Sequence, residues 1–130
     1  MNSPRVCITT DQAPQAIGPY SQAVRSGNML FISGQIGLVP ETGKLQPGFE
    51  AQAKQVLANL AAICNHAGTS LQQAIKLTVY LTDLNQFKII NELMSTCFDA
   101  QTGYPARATI EVSALPLEAV IEIDAVVHID

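Results

Sequence analysis

Tyr104-Pro105-Ala106-Arg107-Ala108-Thr109-Ile110-Glu111-Val112 and Val120-Ile121-Glu122-Ile123-Asp124-Ala125-Val126 both alternate apolar and polar side chains. That is the period of a half-buried strand. Their polar positions hold an arginine, a threonine and carboxylates, in the most β-prone part of the chain. Arginine is scarce here, occurring only as Arg5, Arg25 and Arg107. A guanidinium carried on a strand is a rigid fork, able to grip a carboxylate through two hydrogen bonds. The two runs therefore read as the floor of a small-molecule site.

Upstream, Arg5-Val6-Cys7-Ile8-Thr9 reads as a short first strand, and residues 11–18 as loop punctuated by Pro14 and Gly18. An extended segment begins at Tyr20, after Gly18-Pro19, and Ser26-Gly27-Asn28 signals a hairpin. Residues 29–36 follow as a strand whose first half is apolar throughout, the mark of burial on both faces. Gly34 near its end predicts a bulge or a close backbone approach. Phe49, Ala53, Val56, Leu57, Leu60, Ile63, Cys64 and Ala67 recur at helical spacing, and Gly68 supplies a stop. Residues 76–82 alternate strictly and predict a strand; Phe87, Ile90, Met94, Cys97 and Phe98 line one face of a second helix. The order is β-β-β-α-β-α-β-β, an α+β class with a mixed sheet and two helices on one face. Covering the other face of residues 29–32 calls for a second copy of the chain, so a homo-oligomer is expected.

With 130 residues, 48% apolar and 14% charged, the chain fits one domain spanning residues 1–130. No apolar run is long enough to cross a bilayer, and Met1-Asn2-Ser3-Pro4-Arg5 lacks the apolar core of a signal peptide. Cys7, Cys64 and Cys97 are odd in number and widely spaced, which points to reduced thiols in an intracellular protein and to no zinc site. Net charge is −4, and the seven basic residues are scattered. A nucleic-acid surface needs a concentrated basic patch, so the charge pattern favours a metabolite over a polymer.

Each candidate residue has a functional and a structural reading. Arg107 either grips a substrate carboxylate or pairs with Glu111, Glu122 or Asp124. Glu122 is either a general base that positions water or the partner of Arg107. Thr109 lies two residues beyond Arg107 on the same strand face, as a site residue or simply a β-former. Tyr20 aims a phenol at a ligand or packs as a half-buried aromatic. Ser33 faces a ligand or bonds to backbone. A simple hairpin of the last two strands, closing around Leu115-Pro116-Leu117-Glu118, would set Glu122 opposite Glu111 and Arg107 opposite Val126. Arg107 and Glu122 would then lie about four residues apart, on the order of 13 Å. One small ligand could not touch both within a single chain, and the site would need a neighbouring subunit.

The same residues carry a resemblance to the Rid (YjgF) family of reactive-intermediate deaminases, which includes the liver perchloric-acid-soluble protein. It runs through Ala13-Pro14, Ile17-Gly18-Pro19-Tyr20-Ser21-Gln22-Ala23, Ile32-Ser33-Gly34-Gln35-Ile36, Gln52-Ala53 and Ala67-Gly68. Asp83-Leu84-Asn85, Asn91, Pro105-Ala106-Arg107 and Ile121-Glu122-Ile123-Asp124-Ala125 continue it. The resemblance implies a chorismate-mutase-like fold and a homotrimer with sites between subunits. The reduced thiols favour a cytoplasmic location, with the mitochondrion left open. The resemblance also implies hydrolysis of enamines and imines such as 2-aminoacrylate, 2-iminopropanoate and 2-iminobutanoate to 2-oxo acids and ammonia, without metal or organic cofactor. By position, Arg107 matches the arginine that binds the substrate carboxylate, and Glu122 the glutamate that orients or activates water. Tyr20 and Ser33 match pocket hydroxyls, and Gly34 and Thr109 match places where backbone approaches the ligand. Some deaminating members have cysteine where this chain has Thr109, so a thiol has no role at that position here. RNA cleavage with inhibition of translation, and a non-catalytic small-acid-binding or chaperone-like module, stand as the alternatives.

Overall fold

The computed structural model describes residues 4–130. Met1 to Ser3, the start of the segment read above as lacking a signal-peptide core, lie outside the described residues. The strands are β1 (Val6–Ile8), β2 (Ala23–Ser26), β3 (Met29–Ile36), β4 (Ala74–Leu81), β5 (Ala106–Glu111) and β6 (Ile121–His128). Helix α1 (Phe49–His66) lies between β3 and β4, and α2 (Phe87–Cys97) between β4 and β5. The element order is the expected one. Among the described residues, no helix is long and apolar enough to cross a membrane.

All six strands join one sheet in the order β1-β2-β3-β6-β4-β5. Strand β6 alternates strictly between buried and half-buried residues. Ile121, Ile123, Ala125 and Val127 enter the core, alongside Leu30, Leu77, Val79 and Leu81 from the flanking strands. Val56, Leu60 and Ile63 of α1 and Ile90 of α2 close that core from the helical side. Burying a side chain of this size contributes about 1.5–3 kcal/mol. Helix α1 stops where expected: Gly68, at φ 88°, donates to Asn65 O at 3.2 Å, while Thr69 donates to Cys64 O at 3.0 Å. This double bond to the last turn needs a left-handed residue, which glycine supplies without a Cβ penalty.

One expectation is corrected. The last two strands do not form a hairpin: β4 stands between them, parallel to β5 and antiparallel to β6. A short connection after an alternating strand mimics a hairpin locally. Here β5 is instead delivered by the α2 crossover, as parallel pairing requires. Within one chain, residues 29–32 are covered on one face, the other being the face for which a second copy was expected as cover. Leu30 and Ile32 face the helices and are buried, whereas Phe31 stands 47% exposed on the open face of the sheet. Ile110, 45% exposed, shares that open face.

The loop before β2 is tied down by one side chain. Gln22, 3% exposed, accepts from Thr10 N at 2.7 Å and donates to Thr10 O at 3.0 Å and Pro14 O at 2.8 Å. Its amide thereby holds residues 10–14 beside β2 and fixes the approach to Tyr20. Buried backbone groups left without partners cost about 1–3 kcal/mol each. Gln22→Leu, which keeps the volume, is expected to destabilise the protein by about 2–4 kcal/mol, read as a lower urea midpoint. It should also speed amide hydrogen exchange across residues 10–20, and unchanged exchange there would contradict this role.

Candidate functional site

The bulge expected at Gly34 is present: pairing of β3 with β6 shifts between Ile32 and Gln35. The shift sets Glu122 opposite Ile36 and lets its side chain lie against Gly34. A Cβ built on Gly34 would overlap the carboxylate and stand 2.8 Å from its Cδ and 3.0 Å from its Cγ. Glycine is thus required by close approach, and any larger residue must displace Glu122. A cavity of about 300 Å³ opens here, lined by Ile17, Tyr20, Ser33, Gly34, Ile36, Pro116 and Glu122. Beneath it, Leu117 and Glu118 adopt positive φ values of 56° and 61° in a tight turn that brings Pro116 to the rim.

The polar groups of this cavity have distinct capacities. The Ser33 hydroxyl donates its hydrogen to Ser21 O at 2.6 Å, so the structural reading of Ser33 holds and its lone pairs are what it offers a ligand. Tyr20 is exposed rather than packed, and its hydroxyl accepts from Ile17 N at 3.3 Å. The Glu122 carboxyl is raised above the ordinary glutamate value, first by burial and second by the nearby Asp124 charge. Asp124 lies two residues along the same face and accepts from Tyr80 Oη at 2.9 Å. That bond, with burial behind it, pushes the Tyr80 phenol upward. A carboxylate with a raised value is a stronger base near neutral pH than an exposed one.

Arg107 belongs to a different place. It pairs with Leu77 on the helix-covered face, and its Nη2 donates to Asn91 Oδ1 at 2.6 Å. Its guanidinium carbon also stands 5.4 Å from the Phe87 ring centroid. Asn91, Arg107 and Tyr104 share a second cavity of about 320 Å³ with the apolar Leu77, Met94, Phe98 and Pro105. The three ionic partners considered from sequence are all absent. Glu111 accepts from Leu84 N at 2.9 Å, Asp124 is held by Tyr80, and Glu122 lies across Gly34. Thr109 lies on the Arg107 side of β5, with its buried hydroxyl lacking any partner among the described residues.

The site residues therefore form two groups, Tyr20, Ser33, Gly34 and Glu122 on one side and Arg107 and Thr109 on the other. Arg107 is opposite Leu77 and Glu122 opposite Tyr80, so they differ by three positions along β4 and lie on strands two apart. Strand spacing and rise put their backbones roughly 14 Å apart, with side chains on opposite faces. The hairpin argument had the wrong pairing, yet a comparable separation survives the correct one. Sequence reasoning passed over Asn91 and Phe87 as partners of Arg107; their i,i+4 spacing on one helix face was the available signal. It also passed over Gln22, which only its burial reveals. Cys64 is buried and its thiol is pushed up to about 12, far from a nucleophile's range.

The family model for endoribonuclease L-PSP matches residues 10–129. Among curated proteins, the chain is 46% identical to the mouse 2-iminobutanoate/2-iminopropanoate deaminase, covering 94% of this chain and 90% of that protein. Among solved structures, RidA from the Antarctic bacterium Psychrobacter superposes with a TM-score of 0.92 at 48% identity, covering 95% of this chain and 99% of that one. E. coli TdcF with bound serine gives 0.90 at 42% identity, covering 96% and 99% respectively.

A raised Glu122 value has a thermodynamic consequence. Above the ordinary glutamate value near 4.5, the folded chain keeps a proton that the unfolded chain has lost, so stability falls as pH rises through that window. Glu122→Gln carries no such proton. Its urea midpoint, followed upward from pH 4.5, should therefore decline less steeply than that of the wild type. Parallel declines would show that Glu122 titrates normally.

Proposed function

The chain belongs to the Rid (YjgF/L-PSP) family, and from that premise we propose that it is an enamine/imine deaminase. The substrates are 2-aminoacrylate, 2-iminopropanoate and 2-iminobutanoate, and the products are the 2-oxo acid and ammonia. The observation that carries this reading is the Glu122 carboxyl, raised by burial and lying across Gly34 in a cavity shared with Tyr20 and Ser33. The enamine first tautomerises to the imine. Water then adds to the carbon of the protonated imine, Glu122 takes one of its protons, and a carbinolamine forms. Glu122 returns that proton to nitrogen, the C–N bond breaks, and ammonia leaves as the hydroxyl gives its proton back to Glu122 and the carbonyl forms. An imine carbon is already electrophilic, so placing water and holding the acid end suffice. Arg107 grips the substrate carboxylate, and the free lone pairs of Ser33 accept from the imine N–H.

The active form is a homotrimer, on the family premise, with sites between subunits. Three observations support a site between subunits: the separation of Arg107 from Glu122, their opposite faces, and the exposed Phe31 and Ile110 on the open sheet. One chain then supplies Arg107 and Thr109, and its neighbour supplies Glu122, Tyr20 and Ser33. A cytoplasmic location fits the three free thiols.

Imino acid generated in place by an amino-acid oxidase should be converted to 2-oxo acid faster with wild type than with buffer. Arg107→Ala should lower kcat/KM by at least about tenfold through loss of a charge-assisted grip. Mixing Arg107→Ala and Glu122→Gln subunits with exchange should restore part of the activity, because some shared sites regain both groups. Wild-type rates equal to buffer would sink the reaction, and no restoration on mixing would sink the shared site. RNA cleavage surviving Arg107→Ala, with a steep salt dependence, would instead favour the activity in the family model's name.

A further inference from the structure

Helix α2 carries Phe87 and Asn91 one turn apart on the same side, and Arg107 lies against both. Asn91 Oδ1 accepts from Nη2 at 2.6 Å, while the Phe87 ring stands 5.4 Å from the guanidinium carbon. Both partners are neutral. Among the described residues, the ion pairs within one chain are Lys54 with Glu50 and His128 with Asp130, so Arg107 has no carboxylate neighbour. A guanidinium has five N–H donors in a planar fork, and the Asn91 bond uses one Nη. The plane of the fork is thus fixed from the helix side while its charge is left uncancelled.

We propose that Asn91 is a positioning residue for carboxylate binding at Arg107. It orients the guanidinium through one Nη and, being an amide and not an acid, leaves the positive charge to the ligand. The inference rests on the reading of Arg107 as the carboxylate anchor. An aspartate in the same place would hold Arg107 at least as firmly, yet its charge would compete with the incoming carboxylate. The neutrality of residue 91 is what makes the arginine available, and the ring of Phe87 supports the fork without adding charge.

A purely structural tie between α2 and β5 makes the opposite forecast, so one substitution separates the two. Binding of 2-oxobutanoate, an unreactive product-like acid, would be measured by calorimetry at neutral pH for wild type, Asn91→Asp, Asn91→Ala and Arg107→Ala. Thermal midpoints would be taken on the same samples. Asn91→Asp is expected to bind at least about tenfold more weakly while its midpoint holds or rises. Asn91→Ala is expected to raise KM in the imine assay more than it lowers kcat, since the anchor remains but is no longer oriented. Asn91→Asp binding as tightly as wild type, or losing binding and midpoint together, overturns the proposal. If Arg107→Ala loses binding while Asn91→Asp keeps it, only the positioning role fails. If Arg107→Ala binds like wild type, the anchor reading fails and this inference with it.

Discussion

The strict alternation of β6 between two strands governs everything else in this fold. With β3 on one side and β4 on the other, β6 has no free edge, and its odd-numbered residues from Ile121 to Val127 are committed to the helix-covered core. A slip of one residue would turn Glu122, Asp124 and Val126 into that core and expose the apolar set, a change no local rearrangement could offset. The register therefore places both carboxylates on the open face. The bulge at Ser33 and Gly34 then makes room for one of them beneath Tyr20.

Acid and cation are kept apart by the same sheet. Between Arg107 and Glu122 runs β4, contributing Leu77 to one face and Tyr80 to the other. Separated, Glu122 is raised by burial and by Asp124, while Arg107 rests against a neutral amide and a ring.

Much of the architecture was legible from periodicity. The two helices, the alternating strands, the stop at Gly68 and the bulge at Gly34 follow from spacing and residue type, because local sterics and one-sided burial act within a few residues. The pairing of the last two strands was not legible. A short link between Glu111 and Ile121 fits a hairpin as well as it fits a return past β4, and only the α2 crossover decides between them. Asn91 and Gln22 escaped for a related reason: a polar side chain on a helix or beside a strand gives no sign of a distant partner.

By itself, the sequence determined which faces are apolar, where backbone must come close at Gly34, and that Arg107 and Glu122 sit on strands. Tertiary structure alone decided that β4 separates those strands, that Arg107 leans on α2, and that Glu122 is half-buried with a raised carboxyl. The physical reason is range. Periodicity and steric fit act along the chain, whereas strand order, burial and the electrostatics they create arise only when distant segments meet.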